Sequence, residues 1–254
     1  MIDIQCHILP GMDDGASSFT ESLLMAKQAE KEGIRTIIAT PHHKNEKYNN
    51  PKVNIIDKTA ELKEYLQVEN VHIEILPGQV TQIYDEILED YGAGEILTLA
   101  DISTYLLIEL PSSHIPSNIY QLCFDIQMKG LTPVIAQPER NLEIIEQPDK
   151  LYRLVKNGAA TQIAAASFAG YSGKKIQRFT AHLIESNLTH FIASDAHDKN
   201  KGSFRMQEAY ELVKKKYGTD YLNYFMGNAE HILEGKDIYR EAPQRIRKKI
   251  LGLF

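Results

Sequence analysis

The sequence predicts a single α/β domain whose parallel strands close, or nearly close, into a barrel; a doubly wound open sheet is the alternative. Three observations carry this. Short apolar runs rich in Ile, Val and Thr alternate with helical segments along the 254 residues, as expected for parallel strands covered on both faces. One local pattern recurs: EKEGIRTIIATPHH, QMKGLTPVIAQPER, VKNGAATQIAAAS and IESNLTHFIASDAH each read helix end, Gly or Asn, buried run, polar cluster. Gly33, Gly130, Gly158 and Asn187 suit the left-handed residue that ends a helix. Finally, no linker or low-complexity stretch divides the chain, so residues 1–254 read as one domain with a short basic tail from about 244 to 254.

In order, Met1–Cys6 is the first strand, and His7, Asp13, Asp14 and Gly15 follow it in a loop. Ser17, Ser18 and Thr20 offer caps for a helix that runs to Gly33. Ile34–Thr40 is the second strand; Pro41 breaks it, and His42 and His43 sit just past its end. A helix over Pro51–Gln67 leads to the third strand, HIEILPG, ending at Gly78. A helix near Ile83–Tyr91 precedes the fourth strand, TYLLIELP, which carries Glu109. Ile119–Lys129 is helical, and TPVIAQPER is the fifth strand, closing on Gln137, Glu139 and Arg140. After a helix over Leu151–Asn157, ATQIAAAS is the sixth strand. A helix over Lys174–Ser186 leads to the seventh, LTHFIASDAH, ending on Asp195 and His197. Helical patterns over Arg205–Tyr217 and near Ala229–Leu233 follow.

Composition narrows the function classes. Hydrophobic residues make up 43%, enough for a sizeable core, and a net charge of −6 argues against nucleic acid as the partner. The opening has no basic n-region or long apolar h-region, and no window reads as a membrane span. Two cysteines, Cys6 and Cys123, make no disulfide framework, so a reducing cytoplasm is the expected setting.

The polar clusters all follow the C-terminal ends of strands: His7, His42 with His43, Glu109, Glu139 with Arg140, and Asp195 with His197. In a parallel αβ barrel those ends form one face, where ligands bind. Imidazole and carboxylate without thiolate suit manganese, iron or zinc. Other chemistries lack their motifs. Five residues after Cys6 stands Met12, and five after Cys123 stands Lys129, so neither thiol has the Arg of a cysteine phosphatase. There is no GxSxG elbow and no GxxxxGK[ST] loop. Metal-assisted hydrolysis remains, with Arg140 as a candidate phosphate clamp.

DIQCHILPGMDDG, GIRTIIATPHH, ILPGQV, LLIELP, PVIAQPERN and IASDAH, in this order, resemble the bacterial protein-tyrosine phosphatases of the polymerase-and-histidinol-phosphatase (PHP) superfamily that accompany capsule and exopolysaccharide synthesis. The resemblance implies a distorted (β/α)7 barrel, three metal ions of which manganese is the first expectation, and a phosphotyrosine substrate on the tail of a cognate bacterial tyrosine kinase. Any link to the membrane would run through that kinase. By the same resemblance the metal ligands are His7, Asp14, His42, Glu109, Asp195 and His197, with Asp14, His42 and His197 holding one ion. Glu109, Asp195 and Arg140 belong to the catalytic machinery, and Arg140, His43 and Arg205 to substrate binding.

Four positions depart from the family pattern: Gln5 and Gln137 stand where it has His, Val80 where it has Glu, and Gly202 where it has Arg. Val offers no oxygen, and a Gln amide is a neutral, weak ligand. Fewer than three ions and reduced turnover are therefore expected. The rival expectation is a pseudophosphatase that docks the kinase tail without hydrolysing it. A phosphoesterase with another small substrate is a third.

Overall fold

The computed structural model describes residues 1–197 and 204–246. Gly202 and most of the basic tail lie outside the described residues.

Strand β1 (Ile2–Cys6) leads through the Asp13–Asp14 loop to α1 (Phe19–Lys31). Ser18 caps α1 by accepting from the Glu21 N–H at 3.3 Å, while the Glu21 carboxylate reaches back to the Ser17 N–H at 2.7 Å. The second strand is broken at Thr40–Pro41 into β2 (Thr36–Ala39) and β3 (His42–His43). After α2 (Lys52–Val68), the third is broken at Gly78–Gln79 into β4 (Glu74–Pro77) and β5 (Val80–Gln82). A Cβ on Gly78 would lie 2.5 Å from Ile38, so only glycine lets the two kinked strands pass this closely. Helix α3 (Ile87–Gly92), β6 (Tyr105–Glu109), α4 (Ile119–Met128) and β7 (Thr132–Ala136) continue the alternation. A 3₁₀ turn (Pro138–Arg140), α5 (Leu142–Glu146), α6 (Asp149–Lys156), β8 (Ala160–Ala164), α7 (Ala165–Ala169), α8 (Lys174–Glu185) and β9 (Phe191–Ala193) follow, then α9 (Met206–Tyr217) and α10 (Thr219–Leu233).

All strand pairs are parallel. One sheet has the order β1-β2-β4 and the other β3-β5-β6-β7-β8-β9. The halves of each kinked strand lie in different sheets, so nine strands fill seven positions. The ring closes between β9 and β1: Asp195 N–H donates to Gln5 O at 3.0 Å, and His7 N–H to Ala196 O at 2.9 Å. Beneath this seam the buried Asp3 carboxylate accepts from the Ser194 N–H at 2.9 Å and its hydroxyl at 2.5 Å. This is the distorted (β/α)7 barrel, and its closure excludes the doubly wound sheet.

Side chains alternate across the wall, as strand pleating requires. Ile4, Ile38, Val80, Leu107, Val134 and Phe191 fill the barrel. Ile37, Ile75, Leu106, Ile108, Ile135 and Ile163 pack outward under the helices. Among the described residues no helix is long and apolar enough to cross a membrane.

Several boundaries differ from expectation. The sixth strand stops at Ala164, because the unbranched Ala165–Ala169 favours helix over strand. Asn141 caps a short helix, α5, that apolar periodicity did not reveal. The third helix starts at Ile87 rather than Ile83, since β5 extends to Gln82. The last helix begins at Thr219, not near Ala229; its aromatic first half is a poor helix former held by packing. The seventh strand is only Phe191–Ala193, and the fifth ends at Ala136 because Gln137 is left-handed, with φ 48°.

Candidate metal centre

The loop after β1 turns back tightly on the strand. Ala16 N–H donates to His7 O at 3.0 Å, and a Cβ on Gly15 would lie 2.0 Å from that oxygen, so the close approach needs glycine. The turn brings Asp13 against His7 Nδ1 and Asp14 beside His42 and His197. On β3, neighbouring side chains face opposite ways: His42 turns to the rim, and His43 turns away. His197 arrives from the segment after β9.

Four side chains from these elements converge. One ligand atom each from His7, Asp14, His42 and His197 lies within 4.8 Å of the others. His7 stacks on His197 with ring centroids 3.8 Å apart, and His42 lies 4.6 Å from His7. Asp14 Oδ1 is 3.7 Å from the Nε2 atoms of both His42 and His197.

The far side of each imidazole is already engaged. His7 Nδ1 is 2.6 Å from the buried Asp13 Oδ2. His197 Nδ1 donates to the Asp195 carbonyl at 2.9 Å. His42 Nδ1 is 3.2 Å from Glu109 Oε2. Such partners fix the tautomer and aim Nε2 at a common point, as around metal-bound histidines. His7 Nε2 is buried without a hydrogen-bond partner, its nearest carboxylate oxygen, on Asp195, being 3.5 Å away. A divalent ion that displaced the Nε2 proton would satisfy this atom. Three imidazole nitrogens and one carboxylate oxygen fit zinc, iron or manganese.

Electrostatics agree. Burial alone would lower the His7 pKa, but the Asp13 and Asp195 carboxylates outweigh it and hold it up at about 10. The same contacts hold Asp13 and Asp195 well below the usual carboxylate range, against the upward push of burial. His197 is lowered by burial and by the neighbouring His7 charge.

Beside this cluster lies a second network. Asp195, left-handed at φ 56°, accepts from Gln5 Nε2 at 3.2 Å on Oδ1 and from Arg140 Nη1 at 2.7 Å on Oδ2. The same Arg140 nitrogen donates to Gln137 Oε1 at 2.6 Å. Val80 lies between His42 and Leu107 in the sheet, fully buried in the barrel interior.

The structure thus brings His7, Asp14, His42 and His197 together, with Glu109 against His42 and Asp195 against Arg140. It does not bring His43 or Arg205 to them. His43 is 1% exposed on the opposite face of β3, its pKa pushed down to about 4 by burial and Lys44. Arg205 stacks on Tyr171 at 4.0 Å and pairs with Glu208 at 3.5 Å. Glu139, expected on the rim, is buried and accepts from the Ala164 N–H at the start of α7. The residue that sequence reasoning missed is Asp13. Its signal was available: an Asp two residues before Gly15 favours the side-chain turn it makes with the Gly15 N–H at 2.9 Å.

A family model described as "Capsular polysaccharide synthesis, CpsB/CapC" matches residues 1–234. The tyrosine-protein phosphatase YwqE of Bacillus subtilis is 45% identical over 255 residues, covering all of both chains. A putative tyrosine-protein phosphatase CapC of Staphylococcus aureus is 36% identical, again over the whole of both. A chain from crystal structures of YwqE and of CpsB from Streptococcus pneumoniae, described as "unique metal-dependent tyrosine phosphatases", superposes with TM-score 0.95 over 98% of this chain and 100% of that one, at 45% identity. At 12% identity, an organophosphorus hydrolase from Deinococcus radiodurans shares the barrel with TM-score 0.55, over 91% of this chain and 92% of that one.

Proposed function

This chain belongs to the CpsB/CapC capsular polysaccharide synthesis family, and on that premise we propose that its rim cluster is the working centre of a metal-dependent protein-tyrosine phosphatase. The substrate is phosphotyrosine on the tail of a bacterial tyrosine kinase that controls capsule or exopolysaccharide synthesis, and the setting is the cytoplasm. The observation that carries the reading is the convergence of His7, Asp14, His42 and His197 within 4.8 Å, each imidazole braced from behind.

A divalent ion held there, manganese in the first instance, supplies charge to the phosphoryl oxygens and lowers the pKa of a nearby water. The remaining work falls to the chain. Arg140 offers a planar, permanently charged donor to a phosphoryl oxygen. Asp195 holds that guanidinium in place. The Tyr48 ring lies nearly parallel to His42, 12° off plane and 6.3 Å away, and offers a flat face to a tyrosyl ring. Asp13 and Glu109 keep the imidazoles oriented.

Turnover is slower than a full ligand set would give, because Val80 has no lone pair and the Gln137 oxygen is engaged by Arg140. That same engagement favours a second reading, a module that binds the phosphorylated tail without cleaving it. Hydrolysis of a phosphotyrosine peptide with added manganese separates the two. The phosphatase reading expects turnover that chelation abolishes and His42→Ala lowers by orders of magnitude. Peptide binding with no turnover would leave the module, and turnover indifferent to chelation would remove the metal centre.

A further inference from the structure

The two networks on the rim hold different kinds of atom at their centres. In the ligand cluster, lone pairs converge on space. Around Asp195 they converge on a nitrogen: Asp195 Oδ2 and Gln137 Oε1 both accept from Arg140 Nη1, at 2.7 and 2.6 Å. The other Asp195 oxygen is taken by the Gln5 amide. Gln137 and Asp195 both hold left-handed backbone, at φ 48° and 56°, a conformation uncommon in non-glycine residues. This geometry aims two oxygens at one guanidinium, a group that is always charged.

Resting on the reading of the neighbouring cluster as a metal site, we propose that the Arg140 guanidinium is a tethered cation that stands in for a second divalent ion. The centre therefore takes one metal ion and one guanidinium. A second ion would need lone pairs that Asp195 and Gln137 have already committed, and would meet a positive charge beside them. The substitution changes what the second cation can do. A guanidinium has no exchangeable ligand position, so it cannot activate a water. It can hold a tetrahedral oxyanion through directional N–H groups. The ligand class is an oxyanion spanning the metal ion and Arg140.

Stoichiometry tests this without reference to turnover. Cobalt(II) is titrated into the protein, followed by its visible absorption and by calorimetry. The parent should saturate at about one ion per chain, and Arg140→Met at about two, the second weaker, as the freed Asp195 and Gln137 oxygens become available. Arg140→Ala removes the guanidinium without adding a donor and should also admit a second ion; it serves if Arg140→Met fails to fold, which circular dichroism reports. Two ions in the parent would overturn the proposal. So would a single ion in both folded variants, a result that leaves the metal centre itself intact. No cobalt uptake by the parent would instead remove the metal reading, and this proposal with it.

Discussion

Asp13 braces the centre from behind. Its Oδ2 serves two partners, His7 Nδ1 at 2.6 Å and the His42 N–H at 3.0 Å, while Oδ1 accepts from the Gly15 N–H at 2.9 Å. Its side chain is 1% exposed. Asp13→Asn keeps the shape but only one acceptor. If that oxygen stays on the histidines, the new NH₂ faces the Gly15 N–H, and one buried donor is left unpaired. This costs about 1–3 kcal/mol, a melting temperature lower by roughly 2–12 °C for a domain of this size. The His7 ring also loses the charge that fixes its tautomer, which lowers metal affinity by about 10–100-fold. Scanning calorimetry reads the first effect, and manganese or cobalt titration the second. A variant that melts with the parent and holds metal equally tightly would show that Asp13 does not orient His7.

Three further outcomes follow from other contacts. His7, raised to about 10 from 6.5, contributes stability that is present in the metal-free protein below about pH 6.5 and lost as pH rises towards 10. Ion binding at pH 7 should accordingly release about one proton; calorimetry in two buffers of different ionisation enthalpy reads it, and no release would contradict the protonated state. Asp3→Ala strands the Ser194 N–H and hydroxyl under the barrel seam and should destabilise by about 2–5 kcal/mol, with Asp3→Asn milder in urea unfolding; an unchanged midpoint would deny Asp3 a role in closure. The combined change Gln5→His, Val80→Glu and Gln137→His should raise manganese-dependent phosphotyrosine hydrolysis by orders of magnitude; extra bound metal without extra rate would favour the binding module.

The parallel barrel was legible because Ile, Val and Thr runs are costly to place anywhere but a strand covered on both faces. The four helix-ending residues Gly33, Gly130, Gly158 and Asn187 all take positive φ, as their place after each helix required. What was not legible lay where packing overrides local preference. The Tyr221–Phe225 stretch is helical through burial against its neighbours, and Ala165–Ala169 leaves the sheet because nothing in it favours extension. The ligand cluster was legible in outline because strand ends converge on one rim. The choice between adjacent residues was not. His42 and His43 differ only in which face of a two-residue strand they occupy, and Asp13 and Asp14 only in how a loop turns on Gly15. The pairing of Arg140 with Asp195 needs partners 55 positions apart, beyond any local pattern.

The seam between β1 and β9 also governs when the centre can exist. Cys6 and Ala196 meet across a separation of 190 residues, and His7 and His197 flank that junction. Closing so long a loop carries an entropic cost, and non-local contacts of this kind slow folding. The cluster therefore needs both ends of the barrel in place. A nascent chain that stops short of His197 carries His7, Asp14 and His42 but holds them in no fixed relation. Metal capture is thus tied to completion of the barrel, and a truncated or partly folded chain lacks both the site and its chemistry.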